Sequence, residues 1–327
     1  MESSSGPVIL ADIGGTNARF AMLSPAGELG PPCILPGSSY PTPEKAVRAA
    51  SEQLGDPPPL SAILAVAGPV RDHRCYMTNL GWTFEEGPLA SALGLASVRL
   101  INDFEAVAWS LPHLDEADLR SLGGGRAEPG APALAIGAGT GLGVSCLVPT
   151  GQAPGAAYVL SSEGGHIGLA AEDAREDALI GRLRARFGRV SAERALSGPG
   201  LVTLYEAVAE TEGETAQPLT PAEVTTRGLD GSCRLARITL DLFCALFGAF
   251  AGDLALAFGA RGGVFLAGGI APRLADYLAA SQFRARFEAK GRLSDYTAAI
   301  PTRLIVRPDP ALAGLAALAR GGSYPSG

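Results

Sequence analysis

Lysine is almost missing from this 327-residue chain, which has only Lys45 and Lys290. A Walker A loop needs Gly-Lys-Ser/Thr, and neither lysine follows a glycine-rich turn, so P-loop chemistry is excluded. The lysine-based protein-kinase set falls with it. Histidine is sparse too, at His73, His113 and His166, and no His-Glu-x-x-His occurs. The five cysteines, Cys33, Cys75, Cys146, Cys233 and Cys244, are odd in number and form no Cys-x-x-Cys pair. That argues against a disulfide framework and against zinc. Basic runs are absent and the net charge is −7, which argues against nucleic acid or an acidic membrane as a partner. Met1 to Gly6 is short and polar, without the positive and apolar regions of a signal peptide, so a cytoplasmic location is expected. The most apolar long stretch, Leu242 to Gly252, is bracketed by Asp241 and Asp253 and falls short of the about 20 residues that a membrane helix needs. Leu240, Phe243, Cys244, Phe247, Phe250, Ala251 and Leu254 recur at helical spacing and predict a core helix instead.

What the chain does have is ample core material, 47% hydrophobic against 18% charged, and a length that suggests roughly two domains. Its organising stretch is Val8 to Leu23, where two apolar runs flank Gly14-Gly15-Thr16 and a lone acid, Asp12, closes the first run. The pattern predicts strand, tight turn, strand. Glycines here allow positive φ and leave backbone N–H groups free to face an anion, while Asp12 suits magnesium or its water shell. An ordinary hairpin with a solvated turn acid reads equally well for this segment alone. A second copy, Ala133 to Val148, repeats strand, Gly139-Thr140 turn and strand, with Ile136 in place of Asp12. A third apolar run, Gly263 to Ile270, also ends in paired glycines, Gly268 and Gly269. Two Gly-Thr turns imply two phosphate clamps. A Rossmann Gly-x-Gly-x-x-Gly fails, since from Gly137 or Gly139 its last position falls on Leu142 or Val144.

Thr42-Pro43-Glu44 opens a helix that Gly55 closes, and a strand over Leu60 to Val66 ends at Gly68-Pro69. A shorter strand, Val98 to Ile101, runs into Asn102-Asp103-Phe104. Gly123 to Pro132, rich in Gly and Pro, reads as a boundary between domains. Beyond the second hairpin come the polar loop Glu163-Gly-Gly-His166, then Ser191-Ala-Glu193, a capping box at Thr220 to Glu223, and a last helix, Ala311 to Arg320, expected to pack back on the first unit.

Phosphoryl transfer needs positioning, magnesium and a group to accept the proton of the attacking hydroxyl. Asp103 is the candidate base, with Asn102 beside it to hold a hydroxyl; Asp103 as a helix cap is the plainer alternative, and the two roles can coexist. Glu163, His166 and Glu193 offer the acceptors and donor that a polyol requires, although each alone reads as a solvated turn acid, a satisfied loop histidine and a first-turn dipole partner.

Taken together, Leu10-Ala-Asp-Ile-Gly-Gly-Thr-Asn-Ala-Arg19, Met77-Thr-Asn79 with Trp82, Ile101-Asn-Asp-Phe104, Gly137-Ala-Gly-Thr-Gly-Leu-Gly143, Glu163-Gly-Gly-His166, Ser191-Ala-Glu-Arg194 with Leu196-Ser-Gly-Pro-Gly200, and Ala267-Gly-Gly-Ile-Ala-Pro-Arg273 closely resemble the bacterial glucokinase family. The likeness runs from about Ile9 to Gly314 and is to the branch that lacks a zinc-type cysteine cluster. It implies an α/β, actin/hexokinase-like (ribonuclease H-like) fold of two domains around a cleft, divided as 1–112 plus 305–327 and 113–304. It also implies ATP held by Ala11, Asp12, Ile13, Gly14, Gly15, Thr16, Gly139, Thr140, Gly268 and Gly269, with Mg2+ on Asp12 through water. Glucose is implied on Asn102, Asp103, Glu163, His166 and Glu193, and the expected assembly is a homodimer. Gly68 departs from the bulkier residue that the family carries before this Pro, which bears on hexose selectivity; a kinase of another hexose is the alternative. A sugar-sensing repressor would need a DNA-binding segment before Val8, and an actin-type structural ATPase would lack the polyol set.

Overall fold

The computed structural model describes residues 6–55, 57–151 and 156–321; most of the Met1 to Gly6 segment, on which the signal-peptide reading falls, lies outside them. Contacts divide the chain into one unit of Met1–Asp115, Leu147–Ser161 and Arg307–Gly327 and another of Glu116–Cys146 and Ser162–Val306.

The first unit is built on β1 (Val8–Ile13), β2 (Asn17–Leu23), β3 (Cys33–Pro36), β4 (Ser61–Val66) and β7 (Ser97–Asn102), with a small hairpin of β5 (Arg74–Met77) and β6 (Trp82–Glu85). The sheet order is β3-β2-β1-β4-β7, antiparallel from β1 to β3 and parallel across β1, β4 and β7. The near-continuous apolar runs of β1 and β4 follow from that central parallel position, where both faces are covered. The helix Pro43–Leu54 is capped as its sequence predicts, by Thr42 at one end and by Gly55 with φ +83° at the other. The helix Pro310–Ala319 packs on the helix Asp103–Ser110 within this unit.

A six-stranded sheet has the order β11 (Ala157–Ser162), β10 (Leu142–Pro149), β9 (Ala133–Ala138), β12 (Gly263–Ala267), β13 (Thr302–Ile305) and β8 (Leu119–Gly123). Leaving β8 aside, this is the strand order of the first unit again. The core helix Arg234–Phe258 is longer than its sequence suggested, at 25 residues. Its most apolar window is long and apolar enough to cross a membrane by composition alone, yet 78% of that window is buried within the protein.

Two expectations about boundaries change. Residues 147–161, placed by sequence in the second domain, group with the first unit, where Ser161 Oγ donates to Glu105 Oε2 at 2.8 Å. The Gly123 to Pro132 stretch is no linker: Gly123 ends a paired strand, and Gly124 adopts φ +99° where a Cβ would lie 2.2 Å from the Ile300 carbonyl oxygen. Glycine is needed there for close packing inside the second unit.

Candidate functional site

In the first unit the ends of three parallel strands are level, because Ile13 is in register with Val66 and Val66 with Asn102. The Asp12 turn and the Asn102-Asp103 junction therefore lie at one carboxyl edge, two strands or about 10 Å apart. Such edges are where open α/β sheets bind ligands. Asn102, not Asp103, caps the helix: its Oδ1 accepts from Phe104 N at 2.9 Å and from Glu105 N at 3.3 Å. Its Nδ2 donates to the Gly68 carbonyl at 3.2 Å, which leaves one N–H of the amide for another acceptor. Asp103 is the first helical residue, with Oδ1 accepting from Phe104 N at 2.9 Å. At Gly68 a Cβ would lie 3.1 Å from Cys75 Sγ, so a bulkier residue there must shift the β5–β6 hairpin slightly.

The first turn differs in one respect from its reading. Neither Gly14 nor Gly15 has positive φ. A Cβ on Gly15 would lie 2.7 Å from Asn79 Nδ2, the movable end of a side chain, so the close approach constrains Asn79 more than it demands glycine. Gly14 N donates to Asn17 O at 3.0 Å and Thr16 is exposed at the tip.

Asp12 stands beside Arg19, whose Nη1 is 3.9 Å from Asp12 Oδ2, too long for a hydrogen bond. Arg19 is committed elsewhere, through Nε to Asp309 Oδ1 at 2.9 Å. Burial pushes the Asp12 carboxyl up to about 6, Arg19 opposes this, and the neighbouring Asp309 adds to it. A half-buried carboxylate without a strong cation partner is the electrostatic setting in which a bound divalent ion is most favourable.

In the second unit four segments converge on the turn after β9. Gly139 and Gly268-Gly269 follow adjacent parallel strands, in which Gly137 pairs with Ala267. Gly268 has φ +86°, and Ile270 N donates to Ala138 O at 3.2 Å. The helix Gly198–Thr211 starts against the same turn, with Gly198 N donating to Gly139 O at 2.7 Å. Glu193 Oε2 accepts from Leu142 N at 2.9 Å, so it is not the dipole partner that local sequence suggested. The Glu163-to-His166 turn packs on the same residue, a Cβ on Gly165 falling 2.0 Å from Leu142 O. Ala192 N donates to Ile167 O at 2.9 Å and Arg189 Nη1 to His166 O at 2.7 Å, which fixes the Glu163 and Glu193 turns side by side. The Glu163 and His166 side chains are 54% and 58% exposed and only 3.9 Å apart, so each retains hydrogen-bonding capacity toward a ligand.

Among the described residues no group of three or more His, Cys, Asp or Glu could hold a metal ion. The cysteines are free thiols, and burial pushes Cys146 up to about 11 and Cys244 to about 12, far from the thiolate form that ligates metal. A single carboxylate such as Asp12 nevertheless fits Mg2+, which is commonly held by one or two carboxylates plus waters and substrate phosphates. Sequence reasoning missed Arg19 and Asp309 as electrostatic neighbours of Asp12, and Leu142 as the junction of three loops. Asp309-Pro310 reads as an ordinary helix cap, and a backbone amide leaves no mark in sequence.

The family model described as Glucokinase matches residues 9–321. The glucokinase of Paramagnetospirillum magneticum is 48% identical over 95% of this chain and 97% of its own length. That of Chromobacterium violaceum is 45% identical over 95% of this chain and 88% of its own length. Among solved structures, a glucokinase from an Antarctic psychrotroph superposes with a TM-score of 0.85 at 38% identity, covering 96% of this chain and 98% of that one. The fold is therefore actin/hexokinase-like. Matched by that family model and by these relatives over nearly its whole length, the chain belongs to the glucokinase family.

Proposed function

We propose that this protein transfers the γ-phosphoryl group of ATP to the 6-hydroxyl of glucose. The observation that carries the reading is the arrangement at one strand end: Asn102 caps the helix, and beside it Asp103, whose Oδ1 also accepts from Phe104 N, presents a carboxylate that can accept the proton of an attacking hydroxyl. Asn102 holds that hydroxyl through its remaining N–H. Glu163, His166 and Glu193 take the ring hydroxyls, each of which must find a partner on leaving water. Glucose as the acceptor is supported by the names of relatives 45% and 48% identical over nearly the whole chain.

The residues from Ala11 to Thr16, with Gly139, Thr140, Gly268 and Gly269, hold ATP by backbone groups, which suits a chain with almost no lysine. Asp12 would hold Mg2+ through its water shell, and the ion would supply charge neutralisation at the phosphates. The protein works in the cytoplasm as a homodimer in glucose metabolism. Gly68 bears on selectivity through its carbonyl, because that oxygen fixes Asn102.

A coupled assay of kcat/KM over a panel of hexoses and N-acetylhexosamines, each with ATP, ADP and polyphosphate, tests the reading. Glucose with ATP should lead, because a site that hydrogen-bonds a given hydroxyl rejects an analogue lacking it by about 10⁴. Equal rates for glucose and mannose, or faster turnover with polyphosphate than with ATP, would overturn it.

A further inference from the structure

Gly141 and Leu142 belong to the turn assigned above to the nucleotide, yet the side chain that their backbone holds is a carboxylate assigned to the sugar. Leu142 N donates to Glu193 Oε2 at 2.9 Å, and a Cβ on Gly141 would lie 2.7 Å from that same oxygen. Glu193 is carried on a short turn after Ser191, so its backbone is fixed by Ala192 N on Ile167 O while its side chain is free to rotate unless something holds it. Among the described residues the amide of Leu142 is the group that the structure provides for this. The bond is charge-assisted and uses one carboxylate oxygen, leaving Oε1 to accept from a ligand hydroxyl.

Resting on the functional reading above, we infer that Gly141 and Leu142 are positioning residues for glucose: the bare Cα of Gly141 admits the Glu193 carboxylate, and the Leu142 amide orients it. The second Gly-Thr turn thus serves the acceptor as well as the donor. The leading alternative for Gly141, backbone freedom, does not apply, because its φ is not in the left-handed region. Gly139, two residues away, provides the internal contrast. A Cβ there would meet nothing closer than Gly269 N at 3.9 Å.

The clash in Gly141→Ala is with the end of a flexible side chain and not with backbone, so the variant folds while the carboxylate is displaced. Glucose binding measured by titration calorimetry without nucleotide should weaken by about tenfold or more in Gly141→Ala, the worth of one charge-assisted hydrogen bond. Gly181→Ala, which lies in neither proposed site and whose Cβ would meet nothing within 4 Å, should bind glucose as the wild type does. In a Glu193→Ala background, adding Gly141→Ala should change glucose affinity less than about twofold, because both substitutions remove the same contact. A merely structural role for Gly141 would instead give additive losses. Wild-type protein that takes up no glucose overturns the functional reading, and the inference with it. Wild type that binds glucose while Gly141→Ala binds it equally overturns the inference alone. Should Gly141→Ala fold poorly, hydrogen exchange at the Leu142 amide of the wild type decides: protection that rises with saturating glucose supports the inference, and unchanged protection overturns it.

Discussion

Arg19 donates through Nε to Asp309 Oδ1 at 2.9 Å and keeps its Nη1 3.9 Å from Asp12. Asp309 reaches this position from a left-handed backbone, φ +50° and ψ +51°, which is uncommon for a residue with a Cβ and costs of order 1 kcal/mol. Its side chain makes no helix-capping bond and is spent on Arg19 instead. The guanidinium is thereby drawn off Asp12, whose charge remains poorly compensated.

The first prediction concerns that charge. Burial raises the Asp12 carboxyl from an ordinary 3.8 to about 6, so the folded protein binds its proton more tightly than the unfolded chain does. Stability from this group is therefore intact below about pH 4 and lost as pH rises through 6. With 22% of the side chain still exposed, the penalty at pH 7.5 is on the order of 1–2 kcal/mol. Asp12→Asn should raise Tm at pH 7.5 without Mg2+ or nucleotide, by about twice the gain seen at pH 5, while turnover falls. A gain of equal size at both pH values would contradict the assignment.

Asp103→Asn should fold and bind glucose with near-normal affinity, yet lose about 10² to 10⁴ in kcat, the usual contribution of a general base. Steady-state kinetics beside calorimetric glucose titration separates the two effects. Turnover within a few-fold of wild type would remove Asp103 from the role.

Gly314 touches the same helix from behind. A Cβ there would fall 1.8 Å from the Ala106 carbonyl oxygen and 2.9 Å from Ser110 N, both backbone atoms that cannot rotate away. Gly314→Ala should cost at least about 2 kcal/mol in urea unfolding, and it should lower kcat because the displaced helix begins at Asp103.

In the second unit, Glu176 is 1% exposed and receives both Nη atoms of Arg286, at 2.8 and 2.9 Å, while Arg286 Nε reaches Glu172 at 2.8 Å. Removing the cation strands a buried charge, so Arg286→Met should cost about 3–5 kcal/mol. The double change Glu176→Leu with Arg286→Met should recover most of that loss. Chemical denaturation of the two variants checks the order, and a double variant less stable than the single one would refute it.

Local chemistry explains what was legible in the sequence. Both Gly-Thr hairpins, the capped helix ending at Leu54, the Thr220 capping box and the buried face of Arg234–Phe258 follow from periodicity and end signals, which act within a few residues. Gly123 to Gly125 misled because a glycine run reads the same whether it is solvated or pressed against Ile300. The sequence suggests Asp103 as the cap, but Asn102 supplies it: both side chains suit the position, and the Asn102 amide is further held by its bond to Gly68 O, a partner distant in sequence. The partners of Asp12 and Glu193 lie far away in sequence, at Asp309 and Leu142, where no pattern announces them.

The return of Pro310–Ala319 to the first unit bears on the order of synthesis. Strands β8 to β13 are all made by Ile305, before that helix begins. The first unit, although translated earlier, leaves the helix Asp103–Ser110 without its packing partner until Gly314 has emerged to meet Ala106. The helix that begins at Asp103 therefore gains its packing partner only once Pro310–Ala319 has been made, and a chain interrupted before that point would carry Asp103 on an unsupported element.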